Sequence, residues 1–146
     1  TGTPNPEGGS LGNILGLNTR TSKEEIYFAL MEGVSFEIRL NMDLLEEAGI
    51  PIHSLSATEG GSNSQEWLAI KSDIYHRPID VFPHSEGGIL GCFLMAKHAV
   101  EGIRYPELID RFIQRKPAAK PSSLEKAYEE RYQAYKRIYP ALKKLG

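Results

Sequence analysis

Ala57-Thr58-Glu59-Gly60-Gly61-Ser62-Asn63-Ser64-Gln65-Glu66-Trp67 lodges a pair of glycines in a short polar stretch between an apolar run and a helical pattern. The run before it, Ile52 to Ala57, is strand-like. After it, Trp67, Leu68, Ile70 and Ile74 recur at spacings that place them along one helix face. Gly60 and Gly61 therefore mark a strand-to-helix turn. Glycine at such a turn supplies a positive φ and lets the backbone come close to a ligand, and the helix start that follows offers unpaired N–H groups to a phosphate. By itself a Gly-Gly pair after a strand is more often only a turn, so the nucleotide reading needs support from the rest of the chain.

Working outward, the spacing predicts a helix from about Ser64 to Tyr75, ended by Arg77-Pro78, and a second strand at Ile79, Val81 and Phe82, closed by Pro83. Strand, helix and strand in this order fit a right-handed crossover between parallel strands. Upstream, Thr21-x-x-Glu24 and Ser22-x-x-Glu25 are overlapping capping boxes. From there Ile26, Ala29, Leu30, Gly33, Phe36, Leu40, Leu44 and Ala48 keep helical spacing until Gly49, Ile50 and Pro51 stop it. Glycine inside that helix, at Gly33, costs about 1 kcal/mol relative to alanine, and the expectation is close packing against another element. Residues 1–13 read as an irregular lead-in.

Downstream, Glu86 to Val100 is an almost wholly apolar helix, which predicts packing on several sides. Tyr105 to Arg115 forms a shorter amphipathic helix on Leu108, Ile109, Phe112 and Ile113. Pro117 to Pro121 reads as a linker. Ser122-x-x-Glu125 is a capping box for a last helix, on which Tyr128, Tyr132, Tyr135 and Tyr139 form a docking stripe. Two strands against five helices make an α/β chain that is short of sheet. Its parallel strands need partners and cover, expected upstream of Thr1 or from a second copy of the chain. The opening Thr1-Gly2-Thr3-Pro4, without a methionine, reads as an excised piece, by a cut or a trimmed tag.

Composition narrows the function classes. The 146 residues suffice for one ordinary domain. Seventeen Lys plus Arg against nineteen Asp plus Glu give a net charge of −2 with no basic stripe, which argues against nucleic acid. The longest apolar stretch, Ile89 to Ala96, is too short for a membrane span and has no secretory flank, so the expectation is a cytoplasmic protein with no membrane partner. Cys92 lies in that stretch and is expected to be a buried small hydrophobe. His53, His76, His84 and His98 share no ligand spacing, and no metal site is expected. Among Asp43, Asp73, Asp80 and Asp110, a general base would have to face the glycine turn. For Asp73, about a helix length beyond that turn, a structural role is expected.

Three separated pieces together resemble the FGGY carbohydrate kinases, the family of xylulokinase and glycerol kinase. Gly12-Asn-Ile14-Leu-Gly16-Leu17, then residues 18–24, then Glu25-Ile26-Tyr-Phe-Ala29-Leu30-Met31-Glu32 is similar to the family's second signature, and Glu32-Gly33-Val-Ser-Phe36-Glu-Ile-Arg39 continues it. Ala57 to Trp67 resembles the family's Gly-Gly-Gly-Ala-x-Ser-x-x-Trp adenosine loop, with Glu59 in place of the first glycine, which makes the local backbone less permissive. Ser85-Glu86-Gly87-Gly88-Ile-Leu90-Gly91-Cys-Phe is similar to its Glu-Ala-x-x-Leu-Gly-Ala-Ala helix. Tyr139-Pro140-Ala-Leu142 is similar to its tail.

The resemblance implies an actin- and hexokinase-like (ribonuclease H-like) fold. ATP lies in a cleft between two domains and its phosphate moves to a sugar hydroxyl. Residues 1–146 would be the C-terminal portion of the second domain, with the first domain and the start of the second absent. The family's Asp-x-Gly-Thr motif, catalytic aspartate, second phosphate loop and sugar site lie upstream of the matched region, so the chain by itself is expected to be inactive. Its implied part is the adenosine side of the cleft. Gly60, Gly61 and Ser64 would lie nearest the nucleotide, beside Ser62, with Asn63 and Trp67 shaping the pocket. The implied cofactors are ATP/ADP and Mg²⁺, the latter bound mainly by parts this chain lacks. The parent would act on a ketose such as xylulose, and a homodimer is one expectation. The alternative is a non-catalytic nucleotide-binding or interaction module of the actin-like superfamily, assembling through its sheet edge.

Overall fold

A computed structural model describes residues 12–58, 60–82 and 87–143. Its first element is α1 (Lys23–Glu47). Of the two candidate boxes that precede it, Ser22 and Glu25 form the cap: the Glu25 N–H donates to Ser22 Oγ at 3.2 Å and the Ser22 N–H to the Glu25 carboxylate at 2.8 Å. The helix stops as expected at Gly49, whose φ of +79° only glycine adopts freely. The Ile50 N–H reaches back to the Leu45 carbonyl and the Gly49 N–H to that of Glu46, which together close the last turn in a Schellman motif.

β1 (Leu55–Ala57) leads through a 3₁₀ turn at Gly60–Ser62 into α2 (Gln65–Tyr75), which returns to β2 (Ile79–Val81). β1 and β2 are parallel neighbours, with Leu55, Ser56 and Ala57 opposite Ile79, Asp80 and Val81. α3 (Gly87–Glu101) and α4 (Tyr105–Phe112) follow. The expected linker is in fact a strand, β3 (Lys116–Ala119), paired antiparallel to β2 with a bulge between Ile79 and Asp80. Pro117 disguised it. Proline cannot donate to a ladder, but the order β1-β2-β3 puts β3 at an edge, where a missing donor is tolerated. The described residues thus form a mixed α/β fold of five helices on a small three-stranded sheet.

α5 (Glu125–Lys143) closes the chain. Ser122 does not complete the predicted box at its start. Its N–H and hydroxyl both go to the buried Asp73 carboxylate, the hydroxyl at 3.0 Å, and its Oγ accepts from the Leu124 N–H. Asp73, 4% exposed, therefore ties α2 to the entry of α5, the structural role expected of it.

The core lies where α1, α2 and α5 meet over the sheet. Met31, Phe36, Met42, Leu68, Ile70, Ile74, Ile79, Tyr128 and Tyr132 are buried there. Phe36 stacks on Tyr132 at 5.9 Å and meets Tyr135 at 5.3 Å. The tyrosine stripe of α5 docks on α1, and three of its four rings end on α1 carboxylates: Tyr128 on Glu32 at 3.0 Å, Tyr132 on Asp43 at 2.6 Å, Tyr135 on Glu37 at 2.6 Å. Hydrogen bonds to charged groups contribute about 1.5–3 kcal/mol each, so the seam is held by polar tips as well as ring area.

Three expectations fail. Gly33 is not closely packed among the described residues, since a Cβ added there would meet nothing within 4 Å. α3 is not enclosed: Leu94 is its buried residue, while Ile89 is 66% and Val100 85% exposed. Cys92 is exposed for the same reason, because α3 packs on α4 and leaves its remaining apolar surface uncovered among the described residues.

Candidate functional site

The C-terminal ends of β1 and β2 point the same way because the strands are parallel, and the segments leaving them crowd together. A Cβ on Gly87, the first residue of α3, would lie 3.6 Å from the Thr58 side chain. Clefts at the carboxyl ends of parallel strands are where α/β folds take their ligands. The predicted loop sits at this end. Gly60 to Ser62 form the 3₁₀ turn, closed by the Asn63 N–H on the Gly60 carbonyl at 3.3 Å, and Ser64 caps α2.

Neither Gly60 nor Gly61 has the positive φ expected of a strand-to-helix turn. A 3₁₀ turn keeps φ negative throughout, so space rather than backbone freedom sets the requirement for glycine. An added Cβ on Gly60 meets nothing within 4 Å among the described residues, which leaves an open face there. On Gly61 it would come within 3.0 Å of Lys71 Nζ and 3.7 Å of the Trp67 ring.

The remaining predicted residues divide between loop and helix. Asn63 is exposed at the turn. Ser64 is occupied as a cap, accepting from the Trp67 N–H at 3.2 Å while donating to the Glu66 carboxylate at 3.1 Å. Ser62 lies in the turn, half-buried. Trp67 turns inward: its indole N–H donates to Ser35 Oγ at 3.1 Å, and the fully buried Ser35 passes its own proton to the Met31 carbonyl at 2.8 Å. A buried indole N–H needs such a partner, and this chain fixes the ring against α1.

Lys71 was not among the predicted site residues. Its ammonium lies 4.1 Å from the centre of the Trp67 ring and donates to the Gly61 carbonyl at 3.3 Å. Burial draws its pKa below the ordinary lysine value. The available signal was the spacing, because Trp67 and Lys71 stand at i and i+4 and share a helix face.

At the other end of α2, a pocket of about 410 Å³ is lined by Arg39, Met42, Asp43, Glu46, Tyr75, His76 and Arg77. Its charges are consumed internally: Arg39 pairs with Glu129, Arg77 with Glu46, and Asp43 accepts from Tyr132. No group of three His, Cys, Asp or Glu among the described residues is placed to hold a metal ion.

Residues 1–100 match the sequence profile of the FGGY family of carbohydrate kinases, C-terminal domain. The chain belongs to this family. A xylulose kinase of Staphylococcus epidermidis is 25% identical over 145 residues, covering 98% of this chain and 29% of the relative. The chain thus spans less than a third of the length of such FGGY relatives. Among solved structures, a xyloylose kinase from Brucella ovis superposes with a TM-score of 0.81 at 32% identity, over 90% of this chain and 28% of the other. A gluconate kinase from Lactobacillus acidophilus reaches 0.76 at 24% identity, over 91% of this chain and 27% of its own. Relatives named for xylulose and for gluconate thus share this part of the fold.

Proposed function

We propose that this chain supplies the adenosine side of the nucleotide cleft in an ATP-dependent FGGY kinase that phosphorylates a sugar hydroxyl, with a ketose such as xylulose as the acceptor. The observation that carries this reading is the convergence of the Gly60–Ser62 turn and the start of α3 at the carboxyl ends of two parallel strands, with the open face of Gly60 left for a ligand. Gly60, Gly61, Ser62 and Asn63 form the rim that meets the nucleoside. Ser64 shapes that rim by capping α2, and Trp67 supports it from beneath.

ATP supplies the transferable phosphoryl group, and the part of these residues is to bind and orient the nucleoside so that the phosphates extend towards the rest of the kinase. Positioning is the larger share of catalysis in phosphoryl transfer, which gives a binding loop without catalytic groups a real part in the rate. Mg²⁺ would be held mainly by parts of the kinase outside this chain. No helix among the described residues is long and apolar enough to cross a membrane, and a cytoplasmic address belongs to the same proposal.

Titrating ADP into the 146-residue chain while following amide resonances tests the loop. Shifts centred on residues 58–67, lost in Gly61→Glu, are expected. Absence of shifts at millimolar ADP would remove the nucleotide loop from this reading.

A further inference from the structure

Trp67 is held from two sides, by a buried hydroxyl and by an ammonium. Its indole N–H is fixed to Ser35 on α1, while Lys71 covers the ring at 4.1 Å and reaches on to the Gly61 carbonyl at 3.3 Å. The ammonium is therefore a bridge. One end of its interactions is a ring anchored in the core, and the other is the middle residue of the 3₁₀ turn. A single turn of 3₁₀ helix closed by one 3.3 Å hydrogen bond has little intrinsic persistence. A cation over an indole, partly withdrawn from water, is among the stronger non-covalent contacts a surface loop makes.

We propose that Lys71 is the positioning residue of the Gly60–Asn63 turn, holding it against Trp67 in the shape that receives the nucleoside. This rests on the adenosine-loop reading for what the turn binds, but not for the hold itself. Lys71 touches the turn, not the ligand. The depression of its pKa by burial agrees with an ammonium kept at the edge of the core rather than extended into water. The bare α-carbon of Gly61 belongs to the same device. A Cβ there would approach Nζ to 3.0 Å, and because Nζ is the free end of a flexible chain, it would give way and lose the carbonyl.

The test compares Lys71→Met, which keeps the apolar stem, with Lys71→Arg, whose guanidinium both stacks on indole and donates to a carbonyl. Amide exchange at Asn63 reads the turn without nucleotide, and the ADP titration reads binding. Lys71→Met is expected to speed exchange at Asn63 about tenfold and to weaken ADP binding by a similar factor, with the resonances of Tyr128 and Tyr132 unmoved. Lys71→Arg should restore most of both. Gly61→Ala should loosen the turn alike, and combining it with Lys71→Met should add little, because both remove one bridge.

Unchanged Asn63 exchange in Lys71→Met overturns the proposal whatever ADP does, and so does full additivity with Gly61→Ala. If wild-type chain shows no ADP shifts while Lys71→Met still loosens the turn and Lys71→Arg tightens it, the hold stands and the adenosine reading falls. Should Lys71→Met move the Tyr128 and Tyr132 resonances, Lys71→Gln, uncharged and one bond shorter, removes the bridge in its place, and unchanged Asn63 exchange in that variant overturns the proposal.

Discussion

The bundle of α1, α2 and α5 on the sheet and the α3–α4 pair are both rich in apolar residues, yet the first buries them and the second largely does not. In the bundle, Leu68, Ile74, Ile79 and Tyr132 are each at most 2% exposed. In the pair, Leu94 and Leu108 are buried and Phe93 meets Phe112 edge-on at 5.1 Å, while Ile89, Met95 and Val100 remain in the open. The difference lies in what the elements meet. α2 contacts α1, α5 and β3, whereas the main partner of α3 is α4 alone. Apolar composition measures what an element can bury, and neighbours decide what it does bury.

The largest expected effect separates the two regions by mutation. Tyr132→Ala removes a fully buried ring from the stack with Phe36, the cation site under Arg39 at 4.1 Å and the hydrogen bond to Asp43. Losses of this kind cost about 3–5 kcal/mol, enough to lower the thermal midpoint of the whole chain. Leu108→Ala also empties a fully buried position, but in the pair. Its cost should be local: amide exchange should rise in α3 and α4 while α1, α2 and α5 keep their protection. Equal loss of protection in both regions would show that they unfold together and would abolish the distinction.

The bundle was legible in the sequence to the extent that its signals are local. The Ser22–Glu25 box, the Gly49 stop, the parallel pair around α2 and the tyrosine stripe all rest on spacing within one element or its ends. β3 was not legible, because Pro117 argues against a strand unless its edge position is known, and that depends on the order of the sheet. The Ser122 box failed for a related reason. Asp73, remote in sequence, takes both donors that the box required. In the site, the location of the turn could be read, but the negative φ of its glycines, which follows from its 3₁₀ geometry, and the inward turn of Trp67, which depends on Ser35 across the fold, could not. Exposure of Cys92 follows from missing neighbours, which no periodicity within α3 encodes.

A smaller effect tests whether the polar tips hold the bundle. Burial, with the hydrogen bond to Glu32 and the charge of that carboxylate, pushes the Tyr128 hydroxyl up to about 12 from an ordinary 10.0. A folded-state value raised above the unfolded one means that the folded chain keeps its proton where the unfolded chain gives it up. The stabilisation is complete below pH 10 and lost as pH rises towards 12. Tyr132 and Tyr135 are shifted upward for the same causes, with Asp43 and Glu37 as the acceptors. The melting temperature should therefore fall steeply above pH 10. Exchange in the α3–α4 pair, which has no such tyrosine–carboxylate contacts among its described residues, should follow the bundle only once the bundle opens. Tyr128→Phe should flatten the first part of that fall, and an unchanged profile would mean that the tyrosine tips do not control the alkaline limb.

The smallest effect concerns backbone strain at the seam. His76 ends α2 in the left-handed region with φ of +54°, a conformation that costs a residue with a Cβ on the order of 1 kcal/mol. What it gains is position: its ring lies 3.4 Å from Glu125 and 3.6 Å from Glu129 on α5. Partly exposed pairs of this kind contribute about 0–1 kcal/mol, so strain and attraction nearly cancel. His76→Gly, which removes both, should leave stability within about 0.5 kcal/mol of wild type. His76→Ala keeps the strain without the pairs and should fall about 1 kcal/mol below the glycine variant in denaturant midpoints at fixed slope. If alanine matches glycine, the left-handed turn carries no strain and the contacts of the ring with Glu125 and Glu129 alone set the balance. If both fall well below wild type, the histidine ring contributes more to the α2–α5 seam than its exposure allows, and the strength of the bundle lies nearer its charged rim than its aromatic core.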